Sequence, residues 1–409
     1  MQILVVNSGS SSIKFSIFAV AANPSSDDPQ TLMDGQLSGI GSDSSALEIR
    51  VGDEASTQYK VDAANLPHAI NLVLDTISAN TMPTFDAIGY RVVHPGPKLR
   101  SHQRITPEVL ADLDAATDFA PLHDPAAVEI IRAFMARFAE ISHFACFDTV
   151  FHQTMPEAAT TYPLPEQYRH RGVRRYGFHG LSCESIVRQL RILGDLPKRM
   201  AIAHLGSGCS ITALLNGRSV VNTMGLTPTG GVVMGTRSGD LDPGLVLFLL
   251  RDQQHHNDEA ITAIETLLNH ASGIAALSGM PNDVKAIRKA ANAGDARATL
   301  ALEIFTRSVT KAIGSFCWLL GGLDAIVFAG GIGEHDPQTR TQILANLQAL
   351  GIDIDEQRNQ APAIGIQRIS TSASKTSVFI IPAQEDLMIA LHVRDMAQQE
   401  TSESSHQSI

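Results

Sequence analysis

The chain has 409 residues, 44% of them hydrophobic and 18% charged, and a net charge of −11. That length exceeds what one simple hydrophobic core serves and predicts two domains. An acidic chain lacks the basic face with which nucleic-acid binders displace counterions, while a locally basic cleft for a small anion stays compatible with it.

Residues 1–20 read as strand, tight turn, strand: Ile13, Phe15 and Ile17 alternate with Lys14, Ser16 and Phe18. The opening apolar run, Ile3 to Val6, is too short for a secretory leader and no basic segment precedes it; no stretch approaches a membrane span. A cytoplasmic protein without membrane or nucleic-acid partners is expected. The four cysteines, Cys146, Cys183, Cys209 and Cys317, form no C-x-x-C pair and read as free thiols in a reducing compartment. Asn23 to Pro29 is a loop, and 31–60 read as further short strands. Helices are predicted over 66–79, 107–118 and 125–139, the second opening on Thr106-Pro107 as cap and first-turn proline. Ala145 to Val150 reads as a strand ending at Asp148.

The opening theme then returns. Met200 to His204 is a predicted strand, Gly206-Ser-Gly208 a small-residue turn, and Ser210 to Leu215 a second strand; Asn216-Gly217 is a hairpin turn into Ser219 to Met224. This repetition predicts two duplicated α/β halves facing a cleft. His255 and His256 sit in the polar loop Asp252 to Asp258 and read as solvated. Thr299 to Leu320 is a long helix. Ala325 to Ala329 is a buried strand running into Gly330-Gly-Ile-Gly-Glu334, with a helix after Asp336-Pro337. Val378 to Ile381 is another buried strand, with Glu385 just beyond it.

Three turns suit phosphate. Asn7-Ser-Gly-Ser-Ser-Ser-Ile-Lys14 combines accessible backbone N–H groups, hydroxyls and a lysine, yet lacks the Walker spacing; it is either a phosphate cradle or an ordinary hairpin turn. His204-Leu-Gly-Ser-Gly208 resembles it, and Gly330 to Glu334 is either a Rossmann-type turn or a close-packed strand–helix junction. Arg237, in Met234-Gly-Thr-Arg-Ser-Gly-Asp-Leu-Asp-Pro243, points to an anionic ligand or to a pair with Asp240 or Asp242. His179, in Arg174-Arg-Tyr-Gly-Phe-His-Gly180, suits a hydrogen-bond donor to a transferring phosphoryl group. Arg91 stands at a strand end. Asp148 lies among apolar residues and needs a partner. Glu385 stands where a carboxylate reaches Mg²⁺.

In order, VNSGSSSIKF, FDTVFHQTMP, RRYGFHG, MGTRSGDLDPG and GGIGE make the chain resemble the acetate kinase family of the sugar kinase, actin and Hsp70 superfamily over residues 2–395. The resemblance implies two duplicated ribonuclease H-like (actin-like ATPase) domains around a nucleotide cleft, and a homodimer. It implies an acyl-kinase domain of residues 1–149 plus 387–398, a nucleotide-binding domain of 150–386, and a disordered tail, 399–409. The implied activity is reversible phosphoryl transfer from ATP to acetate, giving acetyl phosphate and ADP, with Mg²⁺ or else Mn²⁺ as the metal. By resemblance, Asn7 and Glu385 hold the metal; Arg91, Asp148, His179 and Arg237 are catalytic. Arg91 also binds the acid, whose methyl group meets Val93, Leu122, Phe178 and Pro228. Ser12, Lys14, His204, Leu205, Gly206, Ser207, Gly208, Asp283, Val284, Lys285, Gly331, Ile332, Gly333, Glu334 and His335 line the nucleotide. Propionate or butyrate as the acid, or a non-catalytic nucleotide-binding regulator, are the alternatives. The chain departs from the family at Ser207 (usually asparagine), at Pro95-Gly96-Pro97, at Gly230 (a lost carboxylate), at Gly180-Leu-Ser-Cys183 and at Lys285 (usually arginine).

Overall fold

The computed structural model describes every residue except 10, 22–28, 80–81, 120–123, 253–257 and 407–409, so the His255–His256 pair and Leu122 lie outside the described residues. Two compact units emerge: Met1–Val150 with Gln384–Ile409, and Phe151–Ala383.

In the first unit the expected strand–turn–strand is β1 (Gln2–Ser8) and β2 (Ser12–Ala19), antiparallel, with Asn7 opposite Lys14. Three antiparallel strands, β3 (Gln30–Ser38), β4 (Ala46–Val51) and β5 (Thr57–Lys60), extend the sheet beyond β2. On the other side of β1 lie β6 (Ala87–Val92) and β8 (Ser142–Phe147), both parallel to it, and the short β7 (Gln103–Arg104) closes that edge. Parallel neighbours require crossovers. The helices α1 (Leu66–Ile77), α2 (Pro107–Ala115) and α3 (Asp124–Arg137) lie within them. Thr106 caps α2 as expected, its side chain accepting from the Val109 N–H at 3.3 Å.

Side chains alternate across each strand. Leu4, Val6, Ile88, Tyr90, Val92, Ala145 and Phe147 therefore join Ile70, Val73, Val128, Ile131 and Phe134 of α1 and α3 in one core. Apart from Ala145, each of these side chains contributes about 1.5–3 kcal/mol on burial. The opposite face is covered by the closing helix, Glu385–His406. Gly89 faces it: a Cβ there would lie 2.6 Å from Val393 and 2.7 Å from Ile389, so only glycine allows the helix this close.

The second unit repeats the plan. β10 (Cys209–Leu215) is antiparallel to β9 (Arg199–Leu205) and β11 (Arg218–Asn222) to β10; β12 (Ala325–Ala329) runs parallel to β9, and β14 (Ser377–Ile380) parallel to β12. With the edge strand β13 (Gln367–Arg368) the order is β11-β10-β9-β12-β14-β13, matching β3-β2-β1-β6-β8-β7 of the first sheet strand for strand. The duplication expected from two strand–turn–strand segments thus extends to the pairing of six strands in each unit. Cys183, Ile186, Val187 and Leu190 of α4 (Gly180–Ile192) pack on Met200, Ile202, Leu214, Val327 and Phe379. The long helix α6 (Ala296–Leu320) packs against β9 and β10, after the shorter α5 (Val284–Asn292).

One open reading is decided and two expectations are corrected. Of the two readings of Gly330 to Glu334, the close-packed strand–helix junction holds: Gly330 to His335 form a one-turn helix directly after β12. Its first residue has φ 75°, and a Cβ there would lie 2.8 Å from the Leu205 carbonyl oxygen, which makes Gly330 obligatory. Gln384 to Asp386 belong to the first unit, because the helix that covers its sheet starts at Glu385. The polar residues 399–406 continue that helix rather than forming a disordered tail, since extending an existing helix adds a hydrogen bond for each residue fixed.

Candidate active site

The parallel strands β1, β6 and β8 end at one edge of the first sheet, the edge at which such sheets present ligand sites. Val5 registers with Gly89, and Arg91 with Cys146. Counting two residues on, Asn7, Arg91 and Asp148 share the face covered by the closing helix. Arg91 donates to both carboxylate oxygens of Asp148, Nε to Oδ1 at 3.0 Å and Nη2 to Oδ2 at 2.5 Å. Its Nη1 donates to Asn7 Oδ1 at 3.3 Å, and Asn7 Nδ2 donates to Asp386 Oδ1 at 2.8 Å. Asp148 is fully buried, so it has found the partner its apolar surroundings demand.

Burial alone would lower the Arg91 pKa, but Asp148, then Glu385 and Asp386, outweigh it and hold the guanidinium above its ordinary value. Burial pushes the Asp386 carboxyl up; the Asn7 N–H pulls it back, and Glu385 beside it pushes again. Sequence reasoning misses Asp386, although it points to the neighbouring Glu385. Lys14 is exposed and lines a cavity of about 610 Å³ with Asp34, Glu48, Arg50 and Asp386. Ser12 is half-buried at the start of β2, and Val93 is buried just past β6.

In the second unit Met200 and Ile202 face α4, so His204 faces its N-terminal end; Ser210 does so from β10. Two hydroxyl–imidazole bonds result: Ser182 Oγ to His204 Nδ1 at 2.8 Å and Ser210 Oγ to His179 Nδ1 at 2.9 Å. The two imidazoles stack with centroids 4.1 Å apart and planes at 21°. His179 holds a left-handed backbone, φ 57°, immediately before α4, a strained conformation for a non-glycine residue. Phe178, before it, is buried, and its carbonyl accepts from His152 Nε2 at 2.8 Å and Asn222 Nδ2 at 3.2 Å.

Gly208 marks where these groups converge: a Cβ there would lie 3.4 Å from both Arg237 Nη1 and His179 Nε2. Arg237 Nη1 donates to the Pro228 carbonyl at 3.0 Å, and the Gly235 N–H to the Ser207 carbonyl at 3.3 Å, tying the arginine loop to the glycine turn. Asp240 is engaged elsewhere in the loop, accepting from the Gly231 N–H at 2.7 Å. A Cβ on Gly230 would lie 3.1 Å from that carboxylate, so Asp240 occupies the space beside this glycine.

A cavity of about 870 Å³ opens beside the turn, large enough for a nucleotide. Of the sequence-predicted residues, Gly206, Ser207, Asp283, Val284, Lys285, Gly331, Ile332 and His335 line it. Asp283 also caps α5, accepting from the Lys285 and Ala286 N–H groups at 2.9 and 3.2 Å. Leu205 and Gly333 are instead buried. Glu334 serves the backbone, its Oε1 accepting from Gly330 and Ala383 at 2.8 and 3.3 Å. Arg288, one helical turn beyond Lys285, is a second residue that sequence reasoning misses; it lines the cavity and donates to Asp336 and Thr339 at 3.0 and 2.6 Å. Among the described residues no helix is long and apolar enough to cross a membrane.

The sequence model described as the Acetokinase family matches residues 2–391. An acetate kinase of Halothermothrix orenii is 39% identical over 95% of this chain and 98% of its own length. Among solved structures, Porphyromonas gingivalis acetate kinase superposes with a TM-score of 0.82 at 34% identity, covering 97% of this chain and 99% of its own. A propionate kinase from Francisella tularensis reaches 0.85 at 35% identity, covering 95% and 98%.

Proposed function

Because this chain belongs to the acetokinase family, we propose that it transfers the γ-phosphoryl group of ATP to acetate, reversibly, giving acetyl phosphate and ADP. The observation that carries the reading is the buried Arg91–Asp148 pair at the carboxyl edge of the first sheet, bonded onward to Asn7 and Asp386. A carboxylate is already ionised at neutral pH, so the reaction needs no general base. One acetate oxygen attacks the γ-phosphorus, the new P–O bond forms as the bridge to the β-phosphate breaks, and ADP leaves with the electron pair. No proton moves and no phosphoenzyme forms.

The task left to the protein is to hold two anions in line against their repulsion. Arg91 binds the acid, with Asp148 fixing the guanidinium plane. The buried Val93, two residues past Arg91 and just beyond the end of β6, is the apolar side chain of this unit suited to the methyl group. Arg237 and His179, which converge beside Gly208, are the groups of the second unit suited to take charge on the phosphoryl oxygens, and Lys14 is an exposed cation of the first. For His179 to donate from Nε2, the Ser210 hydroxyl must donate to Nδ1, which fixes the tautomer. Asn7, Glu385 and Asp386 offer the hard amide and carboxylate oxygens that suit Mg²⁺ or Mn²⁺. Such an ion supplies neutralisation of phosphate charge when bound.

The helix Pro243–Asp252 buries none of its residues, and Leu247 and Phe248 are 52% and 62% exposed, which supports a homodimer with this face covered. Free thiols at all four cysteines suit the cytoplasm. The deciding experiment supplies ATP, Mg²⁺ and the acids from formate to butyrate, with ADP release and hydroxamate formation as readouts. Acetate-dependent ADP release is expected. ATP binding without acid-dependent turnover would refute the proposal, and a preference for propionate would shift the assignment within the family.

A further inference from the structure

Asp124 opens α3 and is 1% exposed. Its Oδ1 accepts from the His94 N–H at 3.3 Å, while its buried Oδ2 has no hydrogen-bond partner among the described residues. It therefore fastens the chain just past Arg91 and Val93. The groups facing it come from several elements: Arg91 on β6, Asp148 after β8, and His94 itself. The His94 ring stacks on Phe119 at 5.1 Å and accepts from the Gly96 N–H through Nδ1 at 2.9 Å, so it is neutral. Burial drives the Asp124 carboxyl up to about 8; the His94 and Val93 amides pull against it, Asp148 adds to the rise, and Arg91 opposes it. A bare carboxylate oxygen in such a place is costly, whereas a protonated one is tolerated.

We propose that Asp124 is a positioning residue of the carboxylate subsite that works as a neutral acid with its proton on Oδ2, and that losing this proton weakens binding of the substrate carboxylate. The inference rests on the reading of Arg91 and Val93 as acid-binding residues. Ionised, Asp124 adds a negative charge beside the subsite and competes for the field of Arg91. Neutral, it leaves that field to the substrate and still holds the Val93–His94 turn.

The test is the KM for acetate and for ATP between pH 7 and 9, in the wild type, in Asp124→Asn and in Asp124→Ser. Both variants keep an acceptor for the His94 N–H and carry no charge. The wild-type KM for acetate is expected to rise about tenfold across that range, as one group with a pKa near 8 requires. The KM for ATP stays constant, and the KM for acetate in either variant stays constant to within about twofold. A flat wild-type profile overturns the role of Asp124, as does a variant whose KM climbs as steeply as the wild type. Absence of any acetate-dependent turnover in the wild type overturns the proposed activity as well, so the two failures are distinguishable.

Discussion

Asp148→Asn probes the carboxylate-side set most directly. Asparagine keeps the shape and one carbonyl acceptor but removes the charge that Arg91 grips through Nε and Nη2 at 3.0 and 2.5 Å. The two side chains are 1% and 15% exposed, so solvent does not replace what is lost. Removing one partner of a buried pair costs about 3–5 kcal/mol. Arg91 keeps Asn7 and the fields of Glu385 and Asp386, which places the loss nearer about 2–3 kcal/mol. For a unit of this size that corresponds to a Tm lowered by roughly 5–10 °C. Turnover should fall further, about a hundredfold, because a guanidinium displaced by about 1 Å no longer holds the acid in line. The measurement is a double-mutant cycle with Arg91→Ala, reading Tm by thermal unfolding and kcat/KM by hydroxamate formation. If Asp148 acts through Arg91, the double variant is no slower than Arg91→Ala alone. Additive losses in kcat/KM, or an Asp148→Asn enzyme with unaltered kcat/KM for acetate, would refute the reasoning.

Ser210→Ala removes the hydroxyl at His179 Nδ1; kcat should drop about five- to tenfold with KM for ATP unchanged, as one lost hydrogen bond of about 1 kcal/mol implies. Gly208→Ala places a methyl group 3.4 Å from Arg237 Nη1 and His179 Nε2, so kcat/KM should fall more than about tenfold while Tm moves little. An equal loss of Tm would mean that the glycine serves the fold instead. Asp124→Asn should also change how stability depends on pH. Between the ordinary carboxyl value near 4 and the folded value of about 8, the native chain binds a proton that the unfolded chain has lost. Wild-type stability therefore falls as pH rises through that window, by up to about 1.4 kcal/mol per pH unit, and the variant lacks this slope. The difference in Tm should widen from pH 5 to 8 and then level off; a constant difference would contradict a raised Asp124 pKa.

Some of the site is legible in the residue order alone, for local reasons. Asn216-Gly217 reads as a hairpin turn because its backbone signs are set by those two residues, and Asn216 indeed holds φ 53°. The alternation in β1 and β2 reveals faces, and an apolar run around Asp148 announces that the carboxylate needs a partner. Glu334 shows the limit of motif reading: it sits in a glycine-rich phrase suited to phosphate, yet its carboxylate holds two backbone amides. Arg288 is within reach of sequence reasoning, since three residues beyond Lys285 on a helix is the same face.

By itself, the order of residues determined the strand–turn–strand repeats, the small-residue turns and the chemical types available to a phosphoryl-transfer site, because each depends on neighbours a few positions apart. Only the tertiary structure decided that Asn7 meets Asp386 across 379 positions and that His179 stacks on His204. It also left one oxygen of Asp124 buried without a partner among the described residues. Those outcomes follow from strand register and helix placement, and long-range packing determines both; no local pattern encodes which distant faces will meet.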